Sequence, residues 1–186
     1  MRKNFGAKTY VFPMPVFVVG TYNADGSANA MTAAWGGISG EREISVCVSG
    51  THKTAENIIR CGAFTVSVAD SDNVAEADYV GIVSANRDND KMTKVGWKSI
   101  ASEFVDAPLF DKLPFALECV VKSYDPETNK LIGEIVNISA DESIIGADGT
   151  VDLDIFRPIT YVSPHHTYRV MGEVVGKAYG EGNKLK

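Results

Sequence analysis

Only three cysteines occur in 186 residues, Cys47, Cys61 and Cys119, and no two of them form a Cys-x-x-Cys pair. An odd, widely spaced set signals neither a disulfide framework nor a zinc site. Reduced, mostly buried thiols are expected instead, as in a cytoplasmic protein. Long apolar runs are missing too: stretches such as residues 16–19 fall far short of the roughly 20 residues that span a bilayer. Arg2 and Lys3 resemble the start of a signal peptide, but Pro13 and Pro15 interrupt the apolar segment behind them. Neither membrane insertion nor export is expected. Positive charge is in deficit, with 18 Lys and Arg against 24 Asp and Glu and a net charge of −6. That balance argues against nucleic acid or an anionic membrane as partner.

Signatures of self-sufficient catalysis are also lacking. There is no Walker-type loop, no His-Glu-x-x-His, and no serine or cysteine in a nucleophile motif. Gly36-Gly37-Ile38-Ser39-Gly40 is glycine-rich, but Glu41-Arg42-Glu43 leads from it into a strand rather than a helix, so the dinucleotide-binding context is absent. His165-His166 has no acidic or cysteine partner at ligand spacing and reads as a loop pair. No catalytic residue and no metal site are expected.

Strand signals fill what remains. Residues 16–22 form an apolar run closed by the turn Asn23-Ala24-Asp25-Gly26, with residues 29–35 returning. Ile44, Val46 and Val48 alternate with Ser45, Cys47 and Ser49, and Phe64, Val66 and Val68 with Thr65, Ser67 and Ala69. One bulky face and one small, hydroxyl-rich face suit a barrel wall or a half-buried sheet. Residues 115–124 and 131–139 flank another turn, and residues 159–162 and 168–175 read as late strands. Two helices are expected, over residues 51–60 and 73–82, the second ambiguous because Tyr79-Val80-Gly81-Ile82-Val83 would equally suit a strand. With no repeat, linker or low-complexity tract, residues 1–186 are expected to form one mainly β domain. Its form would be a closed or nearly closed antiparallel barrel carrying a few helices, α+β in class.

Two segments invite a ligand. In Thr51-His52-Lys53-Thr54-Ala55-Glu56-Asn57-Ile58-Ile59, Ala55, Ile58 and Ile59 lie at helical spacing and Thr51 is a good N-cap. First turns favour acidic residues because helix N-termini are partly positive. Here the turn offers His52, Lys53 and two hydroxyls, which suits a bound phosphate; a solvated turn explains it about equally well. In Asn29-Ala30-Met31-Thr32-Ala33-Ala34-Trp35, small residues let a flat ligand approach the backbone. Asn29 can read an amide-like edge and Trp35 can wall an aromatic ring. The plainer reading is a tight hairpin with Trp35 in the core. Lys91, behind a polar loop, reads from position alone as a solvated cation.

Several motifs follow one another in a meaningful order. They are Phe12-Pro13-Met14-Pro15-Val16, the Asn29–Trp35 segment, Ser49-Gly50-Thr51-His52-Lys53-Thr54 with Asn57-Ile58, and the stretch from Ser84 to Asp90-Lys91. That order resembles the flavin reductase-like family, and within it most closely the flavoredoxin group. Tyr168-Arg169-Val170-Met171-Gly172-Glu173-Val174-Val175-Gly176 is similar to the family's closing strand, so the likeness runs along nearly the whole chain. It implies a Greek-key split barrel, homodimeric, with FMN, tightly or reversibly bound, near the subunit interface.

The resemblance also implies roles. Asn29 and Trp35 match flavin-associated positions, with the ring against Thr32, Ala33, Ala34 and Trp35. Thr54 matches a threonine at the head of the phosphate-side helix, beside Thr51, His52 and Lys53. Lys91 matches a lysine that reaches the flavin or its phosphate. Met31, Ser49 and Ser84 complete the expected cofactor-binding set. His52 stands where relatives often have arginine. Asn129-Lys130 departs from a histidine that many relatives direct at the cofactor. The implied activity moves electrons from NAD(P)H, a transient donor, through FMN to free flavin, iron or a redox partner protein. The alternatives are an FMN-holding carrier or sensor without NAD(P)H activity, and a split-barrel interaction module that has lost its flavin.

Overall fold

The structure, a computed structural model, describes residues 1–186. The chain begins with β1 (Met14–Pro15), β2 (Phe17–Tyr22), β3 (Ala28–Ala33), β4 (Gly36–Gly40) and β5 (Glu43–Cys47). Next come α1 (Lys53–Cys61), β6 (Ala63–Val68), α2 (Val74–Ile82) and α3 (Lys91–Val95). A short hairpin, β7 (Ser99–Ala101) and β8 (Pro108–Phe110), precedes the long β9 (Phe115–Asp125) and β10 (Lys130–Ala140). The chain ends with α4 (Leu153–Phe156), β11 (Ile159–Val162) and β12 (Thr167–Val170).

Seven strands make one antiparallel sheet in the order β3-β2-β6-β9-β10-β5-β4, curled into a half-barrel. The mainly β fold read from the sequence is therefore observed, with four helices rather than two. Curl needs local bending, and the β9–β10 ladder supplies it through register shifts at Ile132/Gly133 and Ile135/Asn137. At the first shift Gly133 lies under the Phe64 ring, where a Cβ has no room.

Alternation along β2 builds two cores from one strand. Phe17 and Val19 join Met31, Ile44, Val46, Phe64, Leu131 and, from α1, Ala55 and Ile58. Val16 and Val18 face the other way and meet Ala30, Ala77 and Val80 of α2, Trp97, Phe110 and Ile159. With both faces covered, the edge strand β3 is held between α1 and α2. The small, hydroxyl-bearing side of β6 is covered too: Thr65 is buried and its Oγ1 donates to the Pro108 carbonyl at 2.6 Å.

Local readings shift in detail. α2 has Asn73 as its N-cap residue, as its pattern suggests, and the doubtful stretch up to Ile82 is helical. Ile59, expected on the apolar face of α1, is 68% exposed. The late strand over residues 168–175 stops at Val170, leaving Val174 and Val175 almost fully exposed. A third, smaller sheet, β1-β11-β12, packs beside α2, where the Tyr168 hydroxyl donates to Asp78 Oδ1 at 2.7 Å. No helix is long and apolar enough to cross a membrane.

Candidate functional site

The head of α1 differs from the sequence reading by one residue. His52, in extended conformation, is the N-cap, and its side chain makes no capping bond. The reason is a turn that delays the helix: the His52 amide donates to the Ser49 carbonyl at 3.0 Å, and the His52 carbonyl accepts the first helical amides, from Ala55 and Glu56. Thr51 is thus not the cap. Its hydroxyl lies 3.1 Å from that of Ser49, and its carbonyl accepts from Asn86 Nδ2 at 3.1 Å. The first turn is also less cationic than expected, because Lys53 Nζ pairs with Glu56 at 2.8 Å. What remains is a helix end whose Lys53 and Thr54 amides have no protein acceptor.

The two residues that carry them line a cavity of about 130 Å³. Asn29 and Met31 of β3, His52, Lys53 and Thr54 of α1, and Lys91 form part of its wall; the rest is the end of α2 and the loop behind it, from Val80 to Ala85. Asn29 is 1% exposed. Its Nδ2 donates to Thr54 Oγ1 at 3.1 Å while its Oδ1 has no partner at all. Whichever way the amide is turned, one buried polar atom is left for a ligand, because a hydroxyl can donate or accept. Asn57 extends the network inward, donating to Thr21 Oγ1 at 3.1 Å and Asn23 Oδ1 at 2.9 Å, and its own Oδ1 is also unpaired. A second hollow of about 450 Å³ adjoins the first and shares Asn29, Lys53, Ala85 and Lys91 with it.

Lys91 is no solvated cation. It is 3% exposed, and its Nζ donates to the Ala30 carbonyl at 2.7 Å and the Val80 carbonyl at 2.8 Å. Burial pulls its pKa down to about 8. The bonds tie the outer edge of the sheet to the carbonyl end of α2, where a cation is favoured. A second tie lies one turn back, from the Thr32 hydroxyl to the Ala77 carbonyl.

Of the thirteen residues singled out in the sequence, seven line the small cavity: Asn29, Met31, His52, Lys53, Thr54, Ser84 and Lys91. Ser49 and Thr51 shape the adjacent turn. Thr32 points away, to α2, and Ala33 is buried in the inner core. Ala34 and Trp35 line a different hollow of about 610 Å³, with Cys47 and Lys130. Trp35 is 50% exposed, so the alternative of a core tryptophan is also set aside. Cys47 is exposed rather than buried, because it ends β5 on the outward side. The wall from Val80 to Val83 and the Asn57 network were not foreseen; the helix-or-strand ambiguity at Tyr79–Val83 hid the first. His166 accepts or donates a bond with the Tyr161 hydroxyl at 2.8 Å, and no cluster of three or more potential metal ligands exists.

A half-barrel with an open helix head and an unpaired buried amide beside it has the chemistry to hold a small anionic molecule that also carries a hydrogen-bonding group. The chain belongs to the flavin reductase like domain family, whose model matches residues 9–162. It is similar to the flavoredoxin of Desulfovibrio vulgaris (Miyazaki F), with 35% identity over 98% of this chain and 100% of that one and a TM-score of 0.92. It is similar to the flavoredoxin of Methanosarcina acetivorans, with 26% identity over the whole of both chains and a TM-score of 0.88. Nitrilotriacetate monooxygenase component B from Bacillus cereus shares the fold, with 22% identity over 90% of this chain and 88% of that one and a TM-score of 0.75. None of the curated proteins matches the chain.

Proposed function

We propose that this protein binds FMN and passes electrons through it. One observation carries the reading: the residues with free amides, Lys53 and Thr54, and the residue with an unpaired buried oxygen, Asn29, all line one cavity. FMN supplies both complements, a phosphate for the helix head and an imide or ribityl donor for Asn29. The residues fit the group at this end. Family membership and the flavoredoxin likeness support the same choice.

FMN would bring the redox chemistry itself. The protein's share is to hold and tune. The α1 head and Lys53 hold the phosphate, Asn29 and Thr54 orient the polar part, and Lys91 sets a positive charge beside both hollows. A second copy of the chain completes the site in this reading. Trp35, half exposed on a separate apolar surface, is left to contact the cofactor or the partner across a homodimer interface. The electron source is NAD(P)H and the acceptor free flavin, iron or a partner protein.

Titrating flavin-free protein with FMN, followed by absorbance and fluorescence, tests the binding. Unchanged flavin spectra at micromolar protein would end the proposal. Stopped-flow mixing of the loaded protein with NADH or NADPH then tests the electron source. A second reading, a carrier reduced only by another protein, draws on Lys130, which stands where the resemblance led us to expect a histidine and lines the Trp35 hollow. Rapid bleaching by a nicotinamide excludes this carrier; an unbleached flavin band establishes it.

A further inference from the structure

Lys91 raises a question of hydrogen counting. Its nitrogen meets two protein acceptors, the carbonyls of Ala30 and Val80. An ammonium carries three hydrogens and a neutral amine two. Both carbonyl bonds therefore survive loss of the charge. What changes is the remaining tetrahedral position, a donor in the cation and a lone pair in the amine. No carboxylate pairs with Lys91, which borders both hollows.

Resting on the FMN reading above, we infer that Lys91 is a proton-coupled ligand of the site. A bound flavin nucleotide that places an acceptor oxygen at the vacant position draws a proton onto the amine, while the two carbonyl bonds keep the wall of the cavity in place throughout. The proton comes from solvent and stays on Nζ until the ligand leaves. The acceptor is an oxygen of the phosphate or of the ring's carbonyl edge; the chemistry at Nζ is the same for both.

The surroundings support coupling at this group. From α1, His52 and Lys53 face the same cavity, and from the β2–β3 turn Asp25 faces the second hollow. β3 offers only backbone. On α2, Asp78 accepts from Tyr168 and Tyr79 bonds to Asp88, and Asp88 in turn pairs with Lys94 of α3. Neither Asp25 nor the adjacent Asp90 bonds to the ammonium, and burial holds its pKa near 8. At pH 9 the ligand-free site then holds mostly neutral amine, while a phosphate monoester (about 6) has long since lost its last proton.

The test is calorimetric titration of flavin-free full-length protein with FMN at pH 9, in two buffers of different ionisation enthalpy. Uptake close to one proton per FMN is expected, against almost none at pH 7, and the Kd should weaken about fivefold from pH 8 to pH 9 and about ninefold over the next unit. Riboflavin, which lacks the phosphate, identifies the acceptor: uptake retained assigns it to the ring, uptake lost to the phosphate. Lys91→Arg, which stays charged, should bind FMN without uptake and with a flat pH profile. Binding without uptake at pH 9 overturns the inference and leaves the FMN reading intact, as does uptake that persists in Lys91→Arg. Absence of FMN binding at any pH overturns the FMN reading itself. Should Lys91→Arg fail to fold, judged by circular dichroism, the wild-type uptake and Kd slope decide alone.

Discussion

Asn29 shows how much of a site one side chain can declare. Its type and neighbours pointed to ligand reading, and the structure adds an unpaired oxygen hydrogen-bonding distance from nothing. Replacing it by alanine should weaken FMN binding about tenfold, the worth of one hydrogen bond of about 1–1.5 kcal/mol, and lower the urea midpoint too, because the buried bond to Thr54 is lost; a fluorescence titration measures the first. Lys91 was marked by the family resemblance alone, and its burial was not legible. Both its acceptors are main-chain carbonyls, which leave no mark in a sequence, so a buried staple looked like any surface cation. Gly133 gives a second prediction at this scale. A methyl group there meets the Phe64 ring over a strand bend, so Gly133→Ala should lower stability by about 1–3 kcal/mol. Urea unfolding should show a reduced midpoint at an unchanged slope.

At the level of elements, periodicity located most strands and both principal helices, and errors gathered at ends. The start of α1 moved by one residue because the Ser49–His52 turn, a main-chain bond, decides which carbonyl begins the helix. β12 is short and lies at the edge of its sheet. Its anchor is Tyr168, whose phenol is pushed up from the ordinary value by burial first and by the bond to Asp78 second. The sign follows directly. The unfolded tyrosine ionises near pH 10 and the folded one later, so its stabilising contribution is complete below pH 10 and drains away as the pH climbs past it. Tyr168→Phe should therefore be less stable than the wild type at pH 7, and the gap should narrow between pH 10 and 11, as read from thermal midpoints.

For the molecule as a whole, the mainly β half-barrel was legible because alternating apolar and small residues recur strand after strand. The division of the ligand surface was not. Motifs adjacent in the chain, Asn29 and Trp35 above all, separate onto different hollows because β3 ends at Ala33 and the chain turns before Trp35. One chain also leaves considerable apolar surface uncovered: Trp35, Ile38, Met171, Val174 and Val175 are all at least half exposed. Patches of this kind mark association surfaces. Light scattering should give twice the 20.0 kDa of one chain, and Trp35→Asp with Ile38→Asp should shift that mass toward the single chain while slowing sedimentation. A single-chain mass for the unaltered protein would rule out the shared site.

The Asn86 side chain ties the loop behind α2 to the turn ahead of α1 by a single bond to the Thr51 carbonyl. A latch formed by one neutral amide has a strength of only about 1 kcal/mol and is indifferent to salt. The loop behind α2 thus keeps its place against the head of α1 by one weak bond that a change of ionic strength leaves untouched.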